Sequence, residues 1–72
     1  MHRKPSPKAI RAARIEAGLP VAEVARRAGL GEATLYRIEK GRHVPRDYTV
    51  GRIAHALGVP VASLFEPVEE AS

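Results

Sequence analysis

Apolar residues recur at spacings of three and four in four separate blocks of the chain, and a glycine follows each block. Such a 3.6-residue period marks amphipathic helices, and a glycine just past the last periodic residue is a helix stop. The first block holds Ile10, Ala13 and Ala17 and ends before Gly18. It predicts a helix over about Pro7–Ala17, with Ser6 as the capping hydroxyl and Pro7 at the first helical position. Val24, Ala25 and Ala28 predict a second helix over about Val21–Ala28, after which Leu30 plugs the junction. Thr34, Leu35 and Ile38 predict a third helix, beginning at Gly31–Glu32 and stopping near Lys40. Val50, Ile53, Ala54 and Leu57 predict a fourth, over about Tyr48–Leu57, with Asp47 as its cap. Gly51 sits inside that fourth helix, where it costs about 1 kcal/mol relative to alanine and where close packing is the usual reason. A last short helix follows Val59–Pro60, carries Val61, Leu64 and Phe65, and is ended by Pro67. The expectation is therefore an all-α, compact five-helix domain over residues 7–66. A flexible, irregular basic arm precedes it at 1–6 and an acidic tail follows at 67–72.

Composition narrows what such a domain does. With 72 residues there is room for one thin core, built here on Ala, Val, Leu and Ile with a single Phe and no Trp. There is no Cys, and His2, His43 and His55 lack short ligand spacing, so no metal and no cofactor are expected. No apolar run approaches the roughly 20 residues that span a bilayer, and no apolar run follows the basic N-terminus. No membrane association is expected, and the expected location is the cytoplasm. An enzyme is not expected either: there is no acid pair and no nucleophile with a supporting base. His43 and Asp47 are four residues apart but straddle Pro45.

Charge is more informative. The net charge is +4, unevenly spread. Residues 1–65 hold all twelve Lys and Arg and five of the eight acids, whereas residues 66–72 hold three acids and no base. A basic body with an acidic tail attracts polyanions, and nucleic acid is the commonest one. The two short helices around Gly29 sharpen this reading. Ala25 is small where two backbones must approach, Gly29 permits a tight turn, and Leu35 and Ile38 bury one face of the following helix. That arrangement holds the second helix outward, where it can enter a major groove, although a generic helical hairpin uses the same residues.

The wider pattern resembles the phage-repressor/Cro helix-turn-helix family, also called the XRE or lambda-repressor-like family. The resemblance covers residues 10–65. It rests on Ile10, Arg14, Gly18–Leu19, Val24–Ala25, Gly29–Leu30, Thr34–Leu35, the run Arg37–Gly41, Pro45, Ile53–Ala54, the run Ala56–Val59, and Leu64–Phe65. It implies a sequence-specific, double-stranded-DNA-binding transcriptional regulator, a repressor acting as a homodimer on a palindromic operator. It implies Glu32, Ala33, Tyr36 and Arg37 as base contacts, and Arg11, Arg26, Arg27, Lys40, Arg42, His43 and Arg46 as phosphate contacts. Arg3 and Lys4 of the arm are further candidates. Arg14 and Glu39 are the expected ion pair between the first and third helices. Val59, Val61, Leu64, Phe65 and Val68 are the expected dimer surface, with core closure the other reading of Leu64 and Phe65.

Three positions depart from the family pattern. Pro20–Val21 stand where a Thr cap and a Gln are usual, and Gly31 stands where Ser is usual. The missing Gln removes one anchoring contact to the DNA backbone. It leaves open a different role on the same fold: an antitoxin-like or adaptor module whose main partner is a protein.

Overall fold

The computed structural model describes residues 2–68. In chain order it contains strand β1 (Arg3–Pro5), helices α1 (Pro7–Glu16), α2 (Val21–Ala28), α3 (Glu32–Glu39) and α4 (Asp47–Leu57), a single 3₁₀ turn (Val61–Leu64), and strand β2 (Phe65–Pro67). Every helix ends on the same device. Gly18, Gly29, Gly41 and Gly58 adopt φ of +72°, +71°, +73° and +69°. In each case the next residue's N–H donates to the carbonyl five positions back, in the pairs Leu19–Arg14, Leu30–Ala25, Arg42–Arg37 and Val59–Ala54. The carbonyls orphaned at each helix end are thus satisfied within the turn, so the connections stay short and the helices pack closely.

The helix starts differ. Ser6 caps α1, its Oγ accepting from the Ala9 N–H at 3.1 Å, and its own N–H donates to the Leu64 carbonyl at 2.8 Å. Pro20, Gly31 and Arg46 precede α2, α3 and α4 and supply no side-chain cap. Asp47 is therefore the first residue of α4 rather than its cap.

Ile10, Val24, Leu35, Ile38, Val50, Ile53 and Leu64 are sealed from solvent and form the core, with Ala25, Ala28 and Ala54 where helices approach. The buried stripes of α2 and α4 are those that the periodicity predicts, and in α3 Leu35 and Ile38 are buried while Thr34 is half-buried. Ala17, on the face that Ile10 and Ala13 share, is exposed.

The expectation of an all-α, compact domain holds, but its count of five helices is corrected. Among the described residues there are four α-helices, and the segment expected as a fifth is one four-residue 3₁₀ turn. At Phe65 the backbone becomes extended, with φ −111° and ψ 156°, and β2 pairs antiparallel with β1. Four residues between Pro60 and an extended Phe65 are too few to repay the nucleation cost of an α-helix. Residues 3–5, expected as an irregular arm, are the partner strand, in register Arg3–Pro67, Lys4–Glu66 and Pro5–Phe65. The Val68 N–H donates to the His2 carbonyl and the Ser6 N–H to the Leu64 carbonyl. Pro5 and Pro67 fall on the alternate positions, which owe the ladder no N–H. Arg3 lies 4.2 Å from the Phe65 ring centroid and Lys4 pairs with Glu66 at 3.5 Å, so the arm's charges face partners within the chain. The remainder of the expected tail, 69–72, lies outside the described residues.

Gly51 does not mark a close approach. A Cβ built there meets no neighbouring atom within 4 Å, and its φ is not in the left-handed region. Gly51→Ala therefore stabilises the domain by about 0.4–1 kcal/mol. Thermal unfolding reads this as a rise of a few degrees, roughly 4–8 °C per kcal/mol for a domain of this size. A fall in melting temperature would mean that the helix needs the glycine.

Candidate nucleic-acid interface

The turn between α2 and α3 is built on Gly29, whose φ of +71° is costly for any residue with a Cβ. The space such a Cβ would take is filled by the Arg52 guanidinium from α4. Arg52 was not singled out by sequence pattern. Its contact with Gly29 joins residues 23 positions apart, and no local period reports it.

From this turn α3 runs with Leu35 and Ile38 fully buried and Thr34 half-buried. Glu32, Ala33, Tyr36 and Arg37, the four expected base readers, are all exposed, Tyr36 by 50%. Lys40 Nζ lies 5.4 Å from the centroid of the Tyr36 ring, one helical turn back, which places a cation beside the aromatic on the outer face.

The C-terminal end of α3 is pinned. Arg14 of α1 donates from Nε to Glu39 Oε2 at 2.7 Å and from Nη2 to Oε1 at 2.9 Å. Its Nη1 donates to the Leu19 carbonyl at 3.0 Å. The two side chains are only 15% and 5% exposed. The Glu39 carboxylate raises the Arg14 pKa further above its ordinary value, its hydrogen bond being the largest cause, against the opposing effect of burial. A carboxylate at a helix C-terminus opposes the helix dipole, so Glu39 owes its place to Arg14. The geometry brings the expected pair together as a two-pronged clamp.

The phosphate candidates divide into two groups. Lys40, Arg42, His43 and Arg46 are exposed in and beside the loop after α3, which the bond from the Arg42 N–H to the Arg37 carbonyl holds against that helix, while Pro45 is buried beneath. Arg11 is exposed on α1. Arg26 and Arg27 are exposed on α2, but both are engaged by Glu23. Arg26 donates to Glu23 from Nε and Nη2, at 3.3 and 2.5 Å, and Arg27 donates from Nε at 2.7 Å. Sequence reasoning missed Glu23, although an acid three and four residues before two arginines is a readable helical pair. Tyr48 is 65% exposed in the first turn of α4, and Val44 is 75% exposed in the loop.

Hydrogen bonds from Arg26 and then from Arg27 hold the Glu23 carboxyl at a pKa of about 2, down from 4.5. Because the folded value is depressed, what Glu23 adds to stability is complete above pH about 4.5 and lost as pH falls toward 2. An NMR titration of the side-chain carboxyl is expected to show that low midpoint. A midpoint at the ordinary carboxylate value would show that the arginines are free.

Of the expected dimer residues, Leu64 is sealed in the core and presents no surface to a partner. Val59 is half-buried against the core, Phe65 is half-buried under Arg3, and Val61 and Val68 are 40% and 37% exposed. Among the described residues, no three His, Cys, Asp or Glu side chains gather to hold a metal ion, and no helix is long and apolar enough to cross a membrane.

Residues 9–64 match the family model described as a helix-turn-helix domain. Over 60 residues the chain is 40% identical to the cryptic phage CTXphi transcriptional repressor RstR of Vibrio cholerae. That alignment covers 83% of this chain and 54% of the repressor, so the chain spans about half the length of this curated relative. The fold superposes on the restriction-modification controller protein C.AhdI of Aeromonas hydrophila with a TM-score of 0.79 at 22% identity, covering 81% of this chain and 88% of that one. It also superposes on SinR, the master regulator for biofilm formation, solved in complex with DNA. There the TM-score is 0.76 at 27% identity, over 81% of this chain and 94% of that one.

Proposed function

This chain belongs to the helix-turn-helix domain family of the phage-repressor/Cro type, and on that premise we propose that it is a repressor that reads a palindromic operator as a homodimer. The observation that carries the proposal is the division of α3. One face is sealed into the core, the opposite face presents Glu32, Ala33, Tyr36 and Arg37 to solvent, and the helix end is clamped by Arg14. A short helix held outward at a fixed angle is what entry into a major groove requires.

In this reading Arg37 reaches guanine O6 and N7, Ala33 packs on a thymine methyl, and Glu32 accepts from a base amino group. Lys40, Arg42, Arg46 and His43 follow the phosphate strand beside the helix, with Arg11 farther out. Arg26 and Arg27 share their guanidinium groups between Glu23 and phosphate, and Arg3 and Lys4 reach phosphate with the N–H groups that Phe65 and Glu66 leave available. Val59, Val61, Phe65 and Val68 form the surface between the two copies, which sets two half-sites one helical turn apart. Occupancy over a promoter then blocks transcription. The relative named as a transcriptional repressor and the neighbour solved with DNA support this reading.

Duplex titration at several salt concentrations tests it. Six to ten phosphate contacts predict a loss of about 10³–10⁵ in affinity between 50 and 200 mM salt. Weak binding to every duplex at every salt would contradict the proposal and favour a protein partner.

A further inference from the structure

An open cleft lies between the first turn of α2 and the outer face of α3, lined by Val21, Glu32, Ala33 and Tyr36. Val21 is the first residue of α2 and is half-buried. Glu32 and Ala33 are the first two residues of α3, and Tyr36 stands one turn farther along. Three of the lining side chains supply apolar or aromatic surface, the fourth is a carboxylate, and no basic side chain lines the cleft.

That make-up sorts the groups a duplex presents. A phosphate has the same sign of charge as Glu32 and meets no cationic side chain in the cleft. Along the major groove the one apolar group on a base edge is the C5-methyl of a pyrimidine, and the exocyclic amino groups of cytosine and adenine are donors that a carboxylate accepts. We propose that the Val21–Ala33–Tyr36 cleft receives the C5-methyl group of an operator thymine while Glu32 accepts from the amino group of a neighbouring base.

The inference rests on the DNA-binding reading above and adds Val21 to the specificity-determining residues. The glutamine usual at this position gives a polar contact to the backbone, whereas valine here gives a contact to a base. The loss of an anchor at the start of α2 becomes a gain in sequence discrimination. 5-Methylcytosine carries the same methyl group, so the experiment must separate the two bases.

The test uses the full chain and an operator selected from random duplexes. Each thymine is replaced singly by deoxyuridine, which removes the methyl group and leaves base pairing intact. At one thymine per half-site, affinity falls about fourfold, the ratio that follows from burying one methyl group. A Val21→Ala variant loses most of that discrimination. Because the side chain is only half-buried at a helix start, the variant keeps its melting temperature to within a few degrees. Deoxyuridine that is neutral at every thymine overturns the proposal, and so does undiminished discrimination by Val21→Ala. A gain from 5-methylcytosine alone, with uracil neutral throughout, overturns thymine as the occupant. If no duplex is enriched at all, this inference fails together with the reading beneath it. A tightly bound operator indifferent to its methyl groups sinks this inference alone.

Discussion

Replacing Arg14 with alanine destabilises the domain by about 2–3 kcal/mol, less than the roughly 3–5 kcal/mol of a fully buried pair because both residues are only partly buried. The substitution leaves the Glu39 carboxylate, 5% exposed, without its two-pronged donor, and leaves the Leu19 carbonyl without its N–H. Small domains hold only about 5–15 kcal/mol in total, so the variant loses a large share of its folded population. Urea unfolding followed by circular dichroism measures the effect. Glu39→Ala is expected to cost a similar amount by leaving Arg14 unpaired. Replacing both residues with apolar side chains of similar volume is expected to cost much less than either single change, because neither charge is then stranded. A loss below about 1 kcal/mol for Arg14→Ala would place the pair in the class of solvent-screened surface bridges.

Replacing Arg37 with alanine weakens operator binding by about 1–3 kcal/mol, roughly fivefold to a hundredfold, and relaxes the preference at one base position. The side chain is exposed on the outer face of α3, one residue before the buried Ile38, so its removal leaves the core intact. Arg42→Ala is the informative comparison. A phosphate contact in the loop should weaken all duplexes alike and lower the salt slope by about one unit. Equal weakening of every sequence by Arg37→Ala would reassign that residue to the DNA backbone.

The parts of the fold written in local periodicity were readable from the sequence. The stripes Val24–Ala25–Ala28 and Val50–Ile53–Ala54–Leu57 report their own burial, and the glycine after each helix reports its stop. The Arg14–Glu39 clamp spans 25 positions and is invisible to periodicity. It was legible only because the run around Glu39 resembles a known family. The β-ribbon was illegible for a physical reason. Its strands are three residues long, each contains a proline, and they pair across nearly the whole chain. No alternation of apolar and polar residues can show in three positions, and proline argues against a strand. The segment Val61–Leu64 reads as a helix because four residues fit a helical period whether or not an α-helix forms. The usual packing reason for a glycine inside a helix does not apply to Gly51, because the space beside it is empty. At the interface, the outward residues of α3 follow directly from the inward ones. Glu23, which occupies two cations, and Arg52, which covers Gly29, emerged only from three-dimensional placement.

The clamp, the turn and the divided face of α3 support the proposal that this helix presents Tyr36 and Arg37 to base edges while neighbouring cations hold the strands. Selection from a random duplex pool, followed by footprinting of the enriched sequence, tests that claim most directly. The account predicts enrichment of two inverted half-sites centred about 10 base pairs apart, with protection in successive major grooves on one side of the duplex. A pool that stays random, or protection independent of sequence, would contradict it.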